Sequence, residues 1–167
     1  MRIATLFLLL TLTAVPVTAQ TAADSAMFDF WVGEWDAWWY GRDSVKEFGR
    51  NSITKVLDGA ALHEDFSIHS GVNKGFKGRS LSVIDAQSGR WKQTWVDNAG
   101  GYMPFTGGAE GTERYFEREF ERNGKRVMQK MVFRSIEKER FVWDWTSSTD
   151  GGATWNTVWR IHYTRRR

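Results

Sequence analysis

A two-residue alternation of apolar and polar side chains, repeated in short segments between turn residues, constrains the fold of this chain most. In residues 34–40, for example, the alternation places Trp35 and Trp39 on one face. This period is typical of β-strands that bury one face. Turn signals such as Asn123-Gly124 separate the segments. We therefore predict an all-β domain, an antiparallel up-and-down barrel of about ten strands, because closure removes both exposed edges.

Two segments depart from the regular alternation. Residues 102–109 contain Pro104, which lacks a backbone N–H, so we expect an edge strand or a bulged strand there. Residues 71–78 are rich in glycine and are predicted to form a loop, and residues 25–32 one helical turn before the first strand. The remaining predicted strands cover residues 34–40, 49–57, 61–69, 79–85, 90–97, 113–122, 125–136, 140–147 and 154–164.

The first 19 residues have the order of a secretory signal peptide: a basic start, an apolar run and small residues before Ala19. We expect cleavage after Ala19, an exported protein in the periplasm or outside the cell, and one mature domain over residues 20–167. An uncleaved anchor is the alternative, but the apolar run is shorter than the roughly 20 residues of a membrane-spanning helix. The chain has no cysteine, so no disulfide stabilises the domain.

The aromatic content is the second unusual feature, with 10 Trp and 11 Phe among 167 residues. Buried rings supply large contact areas. They form either a filled aromatic core or the wall of a pocket, and the sequence leaves both open. The net charge of +3 includes the terminal residues 165–167 and forms no dense basic stripe, so nucleic-acid binding is not predicted. The oligomeric state is left open.

Two sequence blocks carry a resemblance to known families. Gly33-Glu34-Trp35 resembles the start of lipocalin-like (calycin) barrels, in which the tryptophan plugs the closed end. The longer opening over residues 28–35, together with residues 91–98 (Trp-Lys-Gln-Thr-Trp-Val-Asp-Asn), resembles a bacterial family of secreted domains of unknown function over most of the mature chain. The resemblance implies a ligand-sized cavity and no specific activity.

A third block, residues 148–155, matches the Asp-box pattern Ser-x-Asp-x-Gly-x-Thr-Trp of sialidases and other β-propellers. Propellers repeat such a unit blade after blade, whereas this chain contains it once. We interpret it as a structural turn between the last two strands rather than as evidence of a sialidase.

Two carboxylates fall on predicted apolar faces: Glu64 lies between Leu62 and Phe66, and Asp97 shares a face with Trp95. Buried carboxylates need polar partners. They belong to a structural hydrogen-bond network, to the polar end of a ligand pocket, or to the acid–base pair of a hydrolase-type enzyme. The candidate ligand-binding residues are Trp35, Glu64, Trp91, Gln93, Trp95, Asp97, Asn98, Tyr102 and Trp143.

Three functions follow from these alternatives. The first is a barrel that binds a small apolar or amphipathic molecule. The second is a hydrolase-type enzyme that uses Glu64 and Asp97 as acid and base. The third is a structural or interaction module with a filled barrel, dimeric through an edge strand near Pro104.

The histidines give little support to a metal or haem site. His63, Asp65 and His69 share a strand face, but six residues of extended strand span about 20 Å, too far for one metal ion. We expect them on the solvated outer face. His162, in the last strand, is a haem-ligand alternative because small haem-binding barrels use a C-terminal histidine. However, His162 lies on the opposite strand face from Trp159, so it points to solvent if the Trp159 face points inward. No cofactor and no metal are predicted.

Overall fold

The computed structural model describes residues 22–167. The predicted signal peptide, residues 1–19, lies outside this range. A short α-helix (Ala22–Ser25) and a 3-10 helix (Asp29–Trp31) precede the strands, and the 3-10 helix falls within the predicted helical turn. No helix in the described range has the length and apolar character of a membrane span.

Ten β-strands, numbered in chain order, make up the rest of the domain. They are β1 (Gly33–Tyr40), β2 (Lys46–Val56), β3 (Ala61–Ile68), β4 (Lys77–Ile84), β5 (Trp91–Asp97), β6 (Tyr102–Glu110), β7 (Glu113–Arg122), β8 (Lys125–Arg134), β9 (Arg140–Ser148) and β10 (Asn156–Arg165).

Each strand pairs antiparallel with its neighbours in the chain, and β1 pairs with β10 to close the sheet into a barrel. The predicted all-β, up-and-down barrel of ten strands is therefore confirmed, and its architecture is consistent with a calycin-like fold. We call the end at which β1 finishes and β2 begins the open end, and the opposite end the closed end.

Aromatic rings from the segment before β1 fill the closed end. Phe28 stacks on Phe116 at a centroid distance of 4.5 Å and meets Trp91 edge-on at 5.1 Å. Trp35 packs edge-on against Phe141 at 4.7 Å. These side chains are almost fully buried, and such buried aromatic pairs stabilise the fold beyond the area they bury.

Glycines on the inner faces of the strands make room for these large rings. A Cβ atom at Gly78 of β4 would overlap the indole of Trp95 on β5, and one at Gly107 of β6 would press on Trp91 and Phe116. The rings therefore lie directly over glycine backbone. Because Gly78 has no positive φ, its requirement for glycine is steric rather than conformational.

Pairing at two strand boundaries stops short of the open end. β6 pairs with β7 only from Thr106, opposite Glu117, so residues 102–105 and 118–122 do not pair with each other; we call this the β6–β7 gap. β1 pairs with β10 only as far as Trp38. The open half of the barrel wall is therefore splayed at these two places.

The prediction of an edge strand around Pro104 is wrong for β6 as a whole, although residues 102–105 have no paired strand on their β7 side. β6 pairs with both β5 and β7, and a closed barrel has no edge. Pro104 pairs with Thr94 of β5 and lies in the part of β6 that does not pair with β7. Its missing N–H therefore costs no β6–β7 hydrogen bond.

A candidate ligand cavity inside the barrel

We call the buried rings of the closed end, among them Phe28, Trp35, Trp91 and Phe116, the aromatic plug. Between this plug and the open end the barrel contains a cavity of about 330 Å³ that is open to solvent. Its wall is mostly aromatic, and several of the inward-facing rings stay partly exposed to solvent. A cavity of this size, lined by rings and a few polar groups, is typical of small-molecule sites. The aromatic side chains of the wall include Phe66, Phe76, Trp95, Trp143, Trp145 and Trp159.

The structure brings four of the predicted site residues to this cavity: Glu64, Trp95, Asp97 and Trp143. Trp35 and Trp91 do not reach it. Although their side chains face inward, they are buried in the aromatic plug, where the Trp35 indole donates to Trp31 O at 2.8 Å and the Trp91 indole to Asp24 O at 2.9 Å.

The other three predicted site residues do not line the cavity. Gln93 is buried, and its Nε2 donates to Ser82 Oγ at 3.0 Å, but its Oε1 has no partner among the described residues. Asn98 holds the turn after β5, accepting from Lys77 N and donating to Gly75 O. Tyr102 is 69% exposed on the outer surface.

The outward direction of Tyr102 follows from strand register. Tyr102 pairs with Val96, which points outward because its neighbours Trp95 and Asp97 line the cavity. Paired residues on adjacent strands point to the same face. The turn over residues 98–101 therefore sets which β6 side chains face inward.

Glu64 is the centre of a buried polar cluster. It is 7% exposed and accepts hydrogen bonds from Asn51 Nδ2 at 2.8 Å and from Ser80 Oγ at 2.7 Å. Burial raises the pKa of Glu64 to about 7, although both hydrogen bonds favour the charged form, and Asp65 raises it further. Asn51 Oδ1 has no partner among the described residues.

Tyr163, on β10, extends the polar cluster. Burial raises the pKa of its phenol well above the usual value, and Glu64 adds to the effect while a hydrogen bond with Asn51 opposes it. Both Glu64 and Tyr163 line the cavity. This part of the wall therefore offers proton donors and acceptors to a ligand at neutral pH.

Asp97 is engaged in the turn at the open end. Its Oδ1 accepts from the N–H groups of Ala99 and Gly101, and its Oδ2 accepts from the Trp95 indole at 3.0 Å. Partial burial opposes ionisation, but the bonds from Gly101, Trp95 and Ala99 outweigh it and lower the pKa of Asp97. Its structural role is to fix the turn and the indole.

Two further polar residues of the cavity, Arg118 and Gln129, were missed by sequence reasoning. The alternating Glu and Arg residues of β7 suggested ion pairing on a wet surface. However, Phe116 on the same face is fully buried, so Arg118 points inward as well. The two-residue alternation contained this signal, because residues 116, 118 and 120 share a face.

None of the described histidines lines the cavity. His63 and Asp65 lie between the buried residues of β3, and Asp65 pairs with Arg79 at 2.9 Å. His69 contacts Ser67 Oγ at 2.9 Å. No three histidine, cysteine, aspartate or glutamate side chains within residues 22–167 are placed to share a metal ion.

His162, the haem-ligand alternative, lies on the outside of the barrel. Its ring stacks on Trp38 at a centroid distance of 4.1 Å, with an interplanar angle of 9°. Burial under this ring lowers the pKa of His162, and Arg160 and Lys46 lower it further. The cavity therefore receives no imidazole from this strand.

Residues 149–155 connect β9 to β10 as a tight, hydrogen-bonded turn. Asp150 accepts from Thr154 N and Thr154 Oγ1 and from Ser148 Oγ, and these bonds hold its pKa far below the usual value. The Trp155 indole donates to Gly152 O at 3.1 Å. The aspartate is thus occupied within the turn.

Comparison of the chain with models of protein families and with curated proteins gave no match.

Proposed function

We propose that this barrel binds a small apolar or amphipathic molecule in its interior cavity. The observation that carries the proposal is the 330 Å³ space between the aromatic plug and the open end. A barrel that served only as a scaffold would gain stability by filling this space with side chains. Trp143 and Trp145 have empty space on the side that faces the cavity. A ligand that packs against these rings explains why no side chain fills this space.

The distribution of polarity supports an amphipathic ligand. Indoles and phenyl rings make up most of the cavity wall, and the few polar groups are the Glu64–Tyr163 cluster, Arg118 with Gln129, and Asp97. A few convergent polar groups orient a ligand, while the apolar wall supplies the affinity. The ligand therefore has an extended apolar body with hydrogen-bonding groups.

A fluorescence titration with N-phenyl-1-naphthylamine, an uncharged apolar probe, tests the proposal. We expect saturable binding to the wild type and at least about tenfold weaker binding to Met103→Trp, because Met103 lines the cavity and the larger ring fills it. Tyr102→Trp is the matched control: it is the adjacent residue, points outward, and should bind the probe like the wild type.

Absence of probe binding to the wild type, or undiminished binding to Met103→Trp, would refute an interior site. Native mass spectrometry of protein purified from its host supplies an independent test. Release of a small molecule of defined mass is expected, and a ligand-free protein would count against the proposal.

We further propose that the domain acts after export, as a lipocalin-like member of a secreted bacterial family. The support is the signal-peptide pattern of residues 1–19 and the Gly33-Glu34-Trp35 opening. The mature protein recovered from the periplasm or medium should begin at Gln20, as measured by intact mass. A full-length protein in the cytoplasm would contradict this.

A hydrolase-type enzyme is the second candidate. One observation favours it: Glu64 faces the cavity with a pKa raised to about 7, which suits a general acid or base. Asp97, its predicted partner, is committed to turn amides, which weakens the pairing. Glu64→Gln should abolish any turnover of a candidate substrate while the fold, measured by circular dichroism, stays intact.

A further inference from the structure

Arg118 is the one cationic side chain among those that line the interior cavity. It lies on the inner face of β7, and its guanidinium is held beside two rings, 4.5 Å from the centroid of Phe120 and 5.6 Å from that of Phe105. These contacts fix the plane of the group on the cavity wall. An arginine on a mostly aromatic cavity wall requires an explanation, because even partial burial of a cation costs free energy.

No carboxylate within residues 22–167 forms an ion pair with Arg118. Several arginines on the outer surface do have carboxylate partners: Arg79 pairs with Asp65, Arg126 with Glu119, and Arg160 with Asp144. The two carboxylates of the cavity are occupied elsewhere, Glu64 by Asn51 and Ser80 and Asp97 by its turn.

The protein partner of Arg118 is a neutral one. Gln129 Oε1 accepts from Arg118 Nε at 2.9 Å and from Nη2 at 2.5 Å. This contact orients the guanidinium without neutralising it and uses one edge of the group. The two Nη1 hydrogens and the second Nη2 hydrogen remain able to donate to an acceptor in the cavity.

Arg118 lies on the cavity wall where pairing between β6 and β7 has ended. Pairing between β6 and β7 ends at Thr106 and Glu117, immediately before Arg118. The residue therefore borders the β6–β7 gap, where the wall is not closed by strand pairing. Because Arg118 lines the cavity, a ligand whose apolar body occupies the interior can bring its polar head group to the guanidinium.

We propose that Arg118 binds the carboxylate head group of an amphipathic ligand, with Gln129 holding the guanidinium in place and the ligand's apolar body lying against the cavity indoles. This inference rests on the ligand-binding function proposed above and names the chemical class of the ligand. A single guanidinium with one free edge matches a carboxylate, which accepts two parallel hydrogen bonds. Arg122, whose guanidinium lies 5.3 Å from the centroid of the same Phe120 ring, does not line the cavity, so Arg118 is the guanidinium that faces the head group.

Displacement of N-phenyl-1-naphthylamine by decanoate and by 1-decanol, at about pH 6, tests the proposal. The two compounds share an alkyl chain and differ in the head group. For Arg118→Met we expect the half-displacement concentration of decanoate to rise about tenfold or more, and that of 1-decanol to change less than about twofold. Arg118→Lys keeps the charge and loses the planar guanidinium, so its half-displacement concentration of decanoate should lie between those of the wild type and Arg118→Met.

Arg126→Met is the matched control, because it removes one arginine from the outer face of the adjacent strand. It should leave both displacement curves unchanged. Arg118→Met should also raise the melting temperature of the ligand-free protein, since it removes a cation without a counter-ion. That readout does not depend on any ligand, and it shows that the variant folds.

The outcomes separate the two proposals. Suppose that the probe and 1-decanol bind the wild type but Arg118→Met leaves the half-displacement concentration of decanoate unchanged. The head-group assignment is then overturned, and the proposal of a ligand-binding barrel stands. If decyl phosphate, and not decanoate, depends on Arg118, the carboxylate class is overturned. If neither the probe nor 1-decanol binds the wild type, the proposed function fails and the inference fails with it.

Discussion

Asn51 Nδ2 donates to Glu64 Oε1 at 2.8 Å, joining β2 to β3 inside the barrel. Both side chains are almost fully buried. With Ser80 on β4 as the second donor, the contact links three consecutive strands through one carboxyl group. The carboxyl thus has two donors and still has its pKa raised to about 7, because burial outweighs the hydrogen bonds.

Glu64→Gln should flatten the pH dependence of stability. The folded pKa of Glu64, about 7, lies above the ordinary glutamate value of 4.5, so between these values the folded state binds one proton more than the unfolded state. The free energy of unfolding therefore falls as pH rises through this window, by about 3 kcal/mol in total. Urea denaturation at pH values from 5 to 8 measures this slope.

The exposed Glu121→Gln variant is the control for that experiment and should keep the wild-type slope. A Glu64→Gln protein with an unchanged slope between pH 5 and 8 would show that Glu64 titrates normally in the folded state.

Asp144→Asn should lower the free energy of unfolding far more than a substitution that removes an exposed ion pair does. Asp144 is 2% exposed and accepts from Arg160 at 2.7 and 3.0 Å, and Arg134 also contacts its Oδ2. Removing a buried anion leaves two arginines facing each other. We expect a loss of about 2 kcal/mol, because both arginines are partly solvated.

Chemical denaturation of Asp144→Asn beside Glu119→Gln checks this. Glu119 pairs with Arg126 at the exposed surface, so its variant should change the denaturation midpoint much less. Equal effects of the two substitutions would show that burial of Asp144 contributes nothing to the stability of its pair.

Gly78→Ala should displace the Trp95 indole, because the added Cβ would overlap its six-membered ring. We expect a loss of roughly 1–3 kcal/mol, as for other overpacked interiors. A double-mutant cycle with Trp95→Leu measures the cause: the alanine should cost much less when the indole is absent. Additive effects would mean that the indole moves away freely.

Trp38→Ala should raise the pKa of His162, measured by an NMR titration of the imidazole protons. Burial is the largest cause of the lowered pKa, and the Trp38 ring covers the imidazole at 4.1 Å. Lys46→Gln should raise it less, because repulsion from Lys46 is a smaller contribution. If Lys46→Gln raised the pKa of His162 more than Trp38→Ala does, charge repulsion rather than burial would be the main cause of the lowered pKa.

The sign of the His162 effect is opposite to that of Glu64. A lowered folded pKa means that the unfolded chain binds the proton more readily, so stability falls as pH drops through about 6.5. The contribution of Glu64 to the free energy of unfolding rises as pH drops through part of the same window. The two contributions are separated by the single variants rather than by the wild-type curve.

Several elements of the site show what sequence reasoning could reach. Glu64 and Trp95 were assigned to inward faces from alternation alone, because the direction of a side chain in a strand depends only on its position along that strand. Arg118 was accessible to the same reasoning, since Phe116 two residues earlier marks the inner face. The neighbouring acidic residues suggested a solvated strand instead.

Trp35, Trp91 and Tyr102 show where that reasoning ends. The two tryptophans face inward, but the segment around Phe28 folds over the closed end and fills the space around them. Tyr102 faces outward because the turn over residues 98–101 sets its pairing with Val96. Both outcomes depend on residues distant in the chain or on the geometry of one turn.

The sequence by itself determined that this chain forms an antiparallel barrel of about ten strands, because the two-residue period and the turn residues act locally. Only the tertiary structure decided which inward faces meet a filled plug and which surround free space. It also decided that an arginine without a carboxylate partner borders the β6–β7 gap. Packing between distant segments and the register of closure fix these features, and neither is encoded in the period of any single strand.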